Sequence, residues 1–282
     1  MLAASLWGLW PLWARDGSGG TATAAIAQGV AGVLTLPWAL VAMRRRDNRV
    51  RAVDVLKVIA VGLCNGVNTW LYLRALNQGA TAAAVLAHYL APVLVALAAP
   101  VVLREPRSPR TPVALGLALA GTAALLLAGP GAGSALAAVE HAVLFGAGSA
   151  VFYASATLLA KQVGRAVSDA ELFSYQALVG SFMTLPFVAV ALPPLGVAWL
   201  RPCTAALVST IAPGLLFYGG LRRLPAERAG VLSYLEVVAG VLTGWIAFGD
   251  RPGVGAAVGG VCILAAGLYV MSAPRSAPSS TD

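Results

Sequence analysis

The stretch LAHYLAPVLVALAAPVVLREP, Leu86 to Pro106, is apolar almost throughout, is interrupted inside by His88, and closes on Arg104, Glu105 and Pro106. A hydrocarbon core about 30 Å thick asks for ~20 apolar residues per helix, so the run Thr81 to Leu103 reads as one membrane-spanning helix. The same reading extends outward in both directions. Ten segments are predicted: Met1 to Ala14, Thr21 to Met43, Val58 to Leu76, Thr81 to Leu103, Thr111 to Ala128, His141 to Lys161, Glu171 to Leu192, Ala205 to Leu221, Ala229 to Phe248 and Val254 to Ser272. The first is short and has no basic residue before it, which speaks against a cleaved signal. The expectation there is a shallow helix, or a chain start placed downstream of the true one. Pro274 onward is a Ser/Pro tail without apolar content, expected to be disordered.

Composition agrees. The chain has 282 residues, 59% hydrophobic and 11% charged, with a mean hydropathy of +0.81, against roughly 25% charged in a soluble domain. A net charge of +8 would suit a nucleic-acid binder if the basic residues shared one face, but they fall between the apolar runs, so no nucleic acid is implied. Cys64, Cys203 and Cys262 are far apart and form no C-x-x-C pair, which points to neither a disulfide framework nor a zinc site. The Arg, Ala and Gly bias is that of a GC-rich bacterial gene.

The basic residues fix an orientation. With the N-terminus in the cytoplasm, the inner loops hold Arg44, Arg45, Arg46, Arg49, Arg51 and Lys57, then Arg104, Arg107 and Arg110, then Lys161 and Arg165, then Arg222, Arg223 and Arg228, and last Arg275. Outside remain Arg15, Arg74, Arg201 and Arg251. The positive-inside rule selects both termini inside.

Sliding the chain against itself by 145 residues lays Tyr72 to Pro106 over Phe217 to Arg251 without a gap. Tyr89 meets Tyr234, Leu90 meets Leu235, and Glu105 meets Asp250. Five helices per half is an odd number, so the second half enters the membrane from the opposite side. The fold class expected is therefore an all-α integral membrane protein of ten transmembrane helices in two inverted five-helix repeats, 1–128 and 141–272, with a periplasmic linker at 129–140 and a tail at 273–282. Inverted repeats of this kind place a substrate site near the midplane, where the halves meet.

The Trp7-Gly8 pair, the stretch Leu86 to Pro106 and its counterpart LSYLEVVAGVLTGWIAFGDRP, Leu232 to Pro252, resemble EamA-type permeases of the drug/metabolite transporter superfamily. The resemblance covers almost the whole chain. It implies a Pro in the fourth and ninth helices and an acid about a dozen residues later. Pro92 and Glu105 match in the first half, and Glu236 and Asp250 in the second. Val237 stands where the second Pro would be, which leaves the ninth helix without the residue that would kink it. The resemblance also implies a bacterial inner-membrane exporter of a small metabolite, an amino acid or a drug-like compound. It would work by alternating access, driven by the substrate gradient or by protons.

Among polar groups within the spans Glu236 comes first. A charge near mid-membrane costs about 2.5–3.5 kcal/mol on insertion scales, so the group should face protein or water. There it could carry a proton or hold a substrate amine, or it could bond a neighbouring helix. His88, one turn before Pro92, could relay a proton or bind a carboxylate, or be a satisfied core donor. Its repeat counterpart is Ser233. Asn65 and Asn68 share a face of the third helix. They could bind a polar substrate or join helices at about 0.6–2 kcal/mol per bond. Pro213, the repeat partner of Asn68, frees a carbonyl in the eighth helix. Tyr89, Tyr234, Tyr153, Tyr175, Gln176 and Tyr218 are further polar candidates. Of Trp7, Trp70 and Trp245, packing is the expected role, with Trp7 kept as a site candidate. Glu105 and Asp250 are expected to anchor helix ends beside Arg104 and Arg251. Gly116 with Ala120, and Gly255 with Gly259, have small-xxx-small spacing suited to helix packing or a homodimer face.

A polytopic membrane enzyme would need a catalytic constellation, and no H-E-x-x-H, G-x-S-x-G or P-loop stands in the sequence. A receptor or scaffold subunit would carry an extramembrane domain. No cofactor or metal is implied. The partners expected are a small-molecule substrate and the lipid bilayer.

Overall fold

Apolar helix-forming runs fold as the sequence dictates. The computed structural model describes residues 1–14, 20–46, 49–127, 136–164, 166–188 and 196–272, which form helices joined by turns, without strands. The elements are α1 (Leu2–Trp7), α2 (Pro11–Ala14), α3 (Gly20–Arg44), α4 (Ala52–Leu76), α5 (Thr81–His88), α6 (Ala91–Val102), α7 (Arg110–Leu127), α8 (Leu136–Val163) and α9 (Asp169–Val188). They continue as α10 (Leu200–Ala206), α11 (Ala212–Leu221), α12 (Ala226–Ser233), α13 (Leu235–Phe248) and α14 (Val254–Met271). Eight stretches among the described residues are long and apolar enough to cross a membrane. The remaining two expected segments are the first, which is broken into α1 and α2, and the seventh, represented by α9, whose expected end at Leu192 lies outside the described residues. So does the tail 273–282.

Several helices differ from expectation in length or continuity. The sixth span starts at Leu136 and not at His141, because Leu136, Ala137, Ala138 and Val139 continue the helix and take over the end of the expected linker. The eighth starts at a 3-10 turn, Val197–Trp199, instead of Ala205. Arg201 is thus inside a helix, its guanidinium donating to the carbonyl of Trp13. Between α10 and α11 the backbone forms a π-turn, Leu207–Ile211, just ahead of Pro213, which has no N–H to give to the carbonyl of Ser209.

The fourth span is broken at Tyr89–Leu90, where Pro92 cannot donate to the carbonyl of His88. The ninth is broken at Tyr234 although Val237 has replaced the proline. There the backbone tightens instead, with Tyr234 N–H donating to Val231 at 3.3 Å and Val237 N–H to Tyr234 at 3.1 Å. The two breaks touch. The Tyr234 hydroxyl donates to the Tyr89 carbonyl at 2.6 Å, and the two rings stack with centroids 5.3 Å apart. In numbering, α5 shifted by 145 falls on α12, and α4 falls on Val197–Leu221.

The helices pack α3 on α9 and α10, α4 on α8 and α9, α5 and α6 on α8, α1 on α11 and α13, and α7 on α14. At one end, where most of the arginines lie, ion pairs join neighbouring elements. Arg46 bonds Glu171 at 2.8 Å, Arg222 bonds Asp169 at 2.7 Å, and Lys161 bonds Glu105 at 2.6 Å. Glu105 also accepts from the Ala226 N–H at 2.7 Å. Its ion-pair partner is therefore Lys161 on α8, not the adjacent Arg104, whose backbone sits at φ +55°.

The glycines of α7 and α14 are used differently from their spacing. A Cβ on Gly121 would lie 2.7 Å from the Gly259 carbonyl oxygen, whereas one on Gly116 would meet nothing within 4 Å. Gly116 and Ala120 point away from α14, and the close contact is Gly121 to Gly259. We expect Gly121→Leu to lower the melting temperature in detergent sharply, since the obstructing atom is backbone and overpacking costs about 1–3 kcal/mol or more, while Gly116→Leu leaves it unchanged. Equal melting of the two variants would contradict the contact. Tyr234→Phe should cost about 1–3 kcal/mol through the carbonyl left unpaired, read as a lower melting point with insertion retained.

Candidate functional site

The helix breaks and the π-turn border a cavity of about 740 Å³, within the roughly 300–1,000 Å³ typical of small-molecule sites. Trp7, Asn65, Asn68, His88, Tyr89, Pro92, Tyr153 and Glu236 all line it. Two candidates stand behind the wall. Tyr234 is fully buried and reaches it through its bond to Tyr89. Pro213 is buried too, and its neighbour Gly214 lines the cavity, with the Phe173 ring against its α-carbon.

Each side chain has a structural reason for its place. Gly8 is what lets α1 approach: a Cβ there would lie 2.7 Å from the Gly240 nitrogen of α13, so the helix comes close enough to put the Trp7 ring in the wall. That ring packs against Phe217 at 5.3 Å. Glu236 occupies the first turn of α13, directly after the break at Tyr234, and faces the cavity.

His88 ends α5 and is stacked on Tyr72 at 4.3 Å, with Tyr153 and Tyr89 edge-on at 5.6 and 5.8 Å. Its Nδ1 lies 2.8 Å from the Ser149 hydroxyl, which gives its own proton to the Gly146 carbonyl at 2.7 Å. The contact ties α5 to α8.

Asn65 Nδ2 donates to Gln176 Oε1 at 2.8 Å, tying α4 to α9. Asn68 is buried, and its Oδ1 has no hydrogen-bond partner; both amide atoms of Gln28 are likewise unpaired and buried. At the π-turn, Ser209 accepts from the Trp13 indole at 2.9 Å and donates to the Leu6 carbonyl at 3.2 Å. The wall runs on to Pro11, Asn77 and Thr81, at the end opposite the ion pairs. No Lys or Arg is among the described lining residues. Nor does any group of three His, Cys, Asp or Glu stand close enough to hold a metal among the described residues.

Gln176 and Tyr218 line the cavity too, while Tyr175, Trp70 and Trp245 lie elsewhere. The Tyr175 hydroxyl contacts Met43, Trp70 lies under Arg74 at 5.3 Å, and Trp245 is half exposed on the outer surface. Gln28 and Tyr72 were missed in the sequence. Both carried a signal, since Gln28 is a lone amide inside an Ala-rich span and Tyr72 repeats the helical face of Asn65, Asn68 and Thr69.

A family model described as the EamA-like transporter family matches residues 1–127 and 141–272. An uncharacterized transporter of Archaeoglobus fulgidus is 27% identical over 266 residues, spanning 94% of this chain and 92% of that protein. An uncharacterized transporter of Bacillus subtilis is 26% identical over 216 residues, 75% of this chain and 68% of that one. A crystal structure at 20% identity superposes with a TM-score of 0.79, covering 95% of this chain and 93% of its own, which establishes a likeness of fold. With the family model matched on both halves, this membrane protein belongs to the EamA-like transporter family, within the drug/metabolite transporter superfamily.

Proposed function

We propose that the chain is a secondary-active permease of the bacterial inner membrane, exporting a small metabolite by alternating access. The carrying observation is a central cavity whose lining reaches one end of the bundle while ion pairs tie the helices together at the other. Such a wall, closed on one side, is one of the two states that alternating access requires.

In this reading the ten crossings form two inverted five-helix repeats, 1–128 and 141–272, joined by a periplasmic segment, with both termini in the cytoplasm. Three features support it. Helix ends recur at the 145-residue interval. The breaks at Tyr89 and Tyr234 occupy matching positions and touch each other. Contacts also come in exchanged pairs, with α4 on α9 and α10 on α3, while α3 on α9 and α7 on α14 each join an element to its own counterpart. The ion-paired, Arg-rich end is then cytoplasmic, and the cavity faces the periplasm.

The site would act through binding and release, with the substrate gradient or protons as the driving force. Glu236 is the group placed to couple a proton, since it is the acid that lines the cavity among the described residues. Counterflow of a labelled compound in proteoliposomes tests the permease reading, and absence of saturable flux for every compound in a broad metabolite panel, from correctly inserted protein, would refute it. Glu236→Gln should lower proton-driven accumulation by at least about tenfold and leave the residual flux independent of pH; unchanged accumulation would remove the proton from the mechanism. Arg222→Ala together with Lys161→Met should raise labelling, from the cytoplasmic side of inside-out vesicles, of a cysteine placed at Ser209. No rise would count against the ion pairs as the closing contacts.

A further inference from the structure

We infer that the cavity takes an organic amine or ammonium ion with a flat apolar body and no carboxylate of its own. This rests on the permease reading only for its being transported; the binding argument stands on the cavity's chemistry.

Among the described lining residues Glu236 is the one acid, and the other polar groups are amides, hydroxyls, indoles and the His88 imidazole. A carboxyl group in such a wall favours a ligand that brings N–H donors or a positive charge. No Lys or Arg lines the described wall, so a carboxylate or phosphate ester would enter without a counter-ion, which is costly in an apolar setting.

The remainder of the wall is aromatic. Tyr72, Tyr89 and Tyr153 surround His88, and Trp7 with Phe217 supplies a further face. A cation against such faces gains about 0.5–2 kcal/mol per contact, and the ring planes suit a flat body. The acid supplies the opposite charge. A zwitterion such as an amino acid satisfies the acid but strands its own carboxylate, so it should bind less well than the matching amine.

Three probes of one shape separate these cases: tryptamine, its N,N,N-trimethylammonium derivative and indole-3-propionate. Isothermal titration on the purified full chain should give both cations at least about tenfold tighter binding than the carboxylate. That ranking is measured on the wild-type protein and needs no variant. Glu236→Gln should then erase the preference, and Tyr153→Leu, which leaves the carboxyl in place, should weaken the trimethylammonium probe severalfold. Carboxylate binding as tight as that of the cations, or no binding by any probe, overturns the proposal. The permease reading fails separately. Cation binding without counterflow in proteoliposomes would sink transport and keep this site, whereas counterflow of the carboxylate alone would sink the site's cation preference and keep transport.

Discussion

A peptide carbonyl surrounded by apolar side chains must find a donor, because water is not there to supply one. Around the cavity that requirement is concentrated at the two interrupted spans, and for the Tyr89 carbonyl the Tyr234 hydroxyl answers it. The interruptions open space between helix segments and set Glu236 and His88 at segment ends. The bond also crosses from one half of the sequence to the other. A break in one span is thus stabilised by a side chain from the matching break in the other, and the cavity forms where these two irregularities meet.

The two breaks have unlike causes. In the fourth span Pro92 withholds an N–H from the carbonyl of His88. In the ninth, Val237 has its N–H and spends it on the Tyr234 carbonyl three residues back, tightening the turn. The consequence for the fold is the same, which indicates that tertiary contact between the tyrosines, and not the proline alone, holds the geometry.

These causes also explain what was readable in advance. Eight of the spans, the interval of 145 residues and part of the wall were legible, since apolar run length and a lone polar residue at mid-span are one-dimensional signals. The break at Tyr234 was not, because Val237 carries no local mark of it. Nor was the Lys161 to Glu105 ion pair, as adjacency in sequence pointed to Arg104 and only packing brings α6 and α8 together. Spacing of small residues suggested Gly116 and Ala120, yet spacing does not say which face of a helix meets a neighbour, and Gly121 does that in the folded chain. The wall residues themselves were found by chemistry; their assembly into one site belongs to the packing.

The close approach at Gly8 also fixes a dimension. With its backbone pressed on Ala239 and Gly240, α1 holds the Trp7 ring at a set distance from the first turn of α13, where Glu236 stands. Tyr72, His88 and Tyr153 stand on α4, α5 and α8, which pack on one another and form a second part of the wall. The width of the cavity between these two groups is therefore set by backbone contacts that lie outside it.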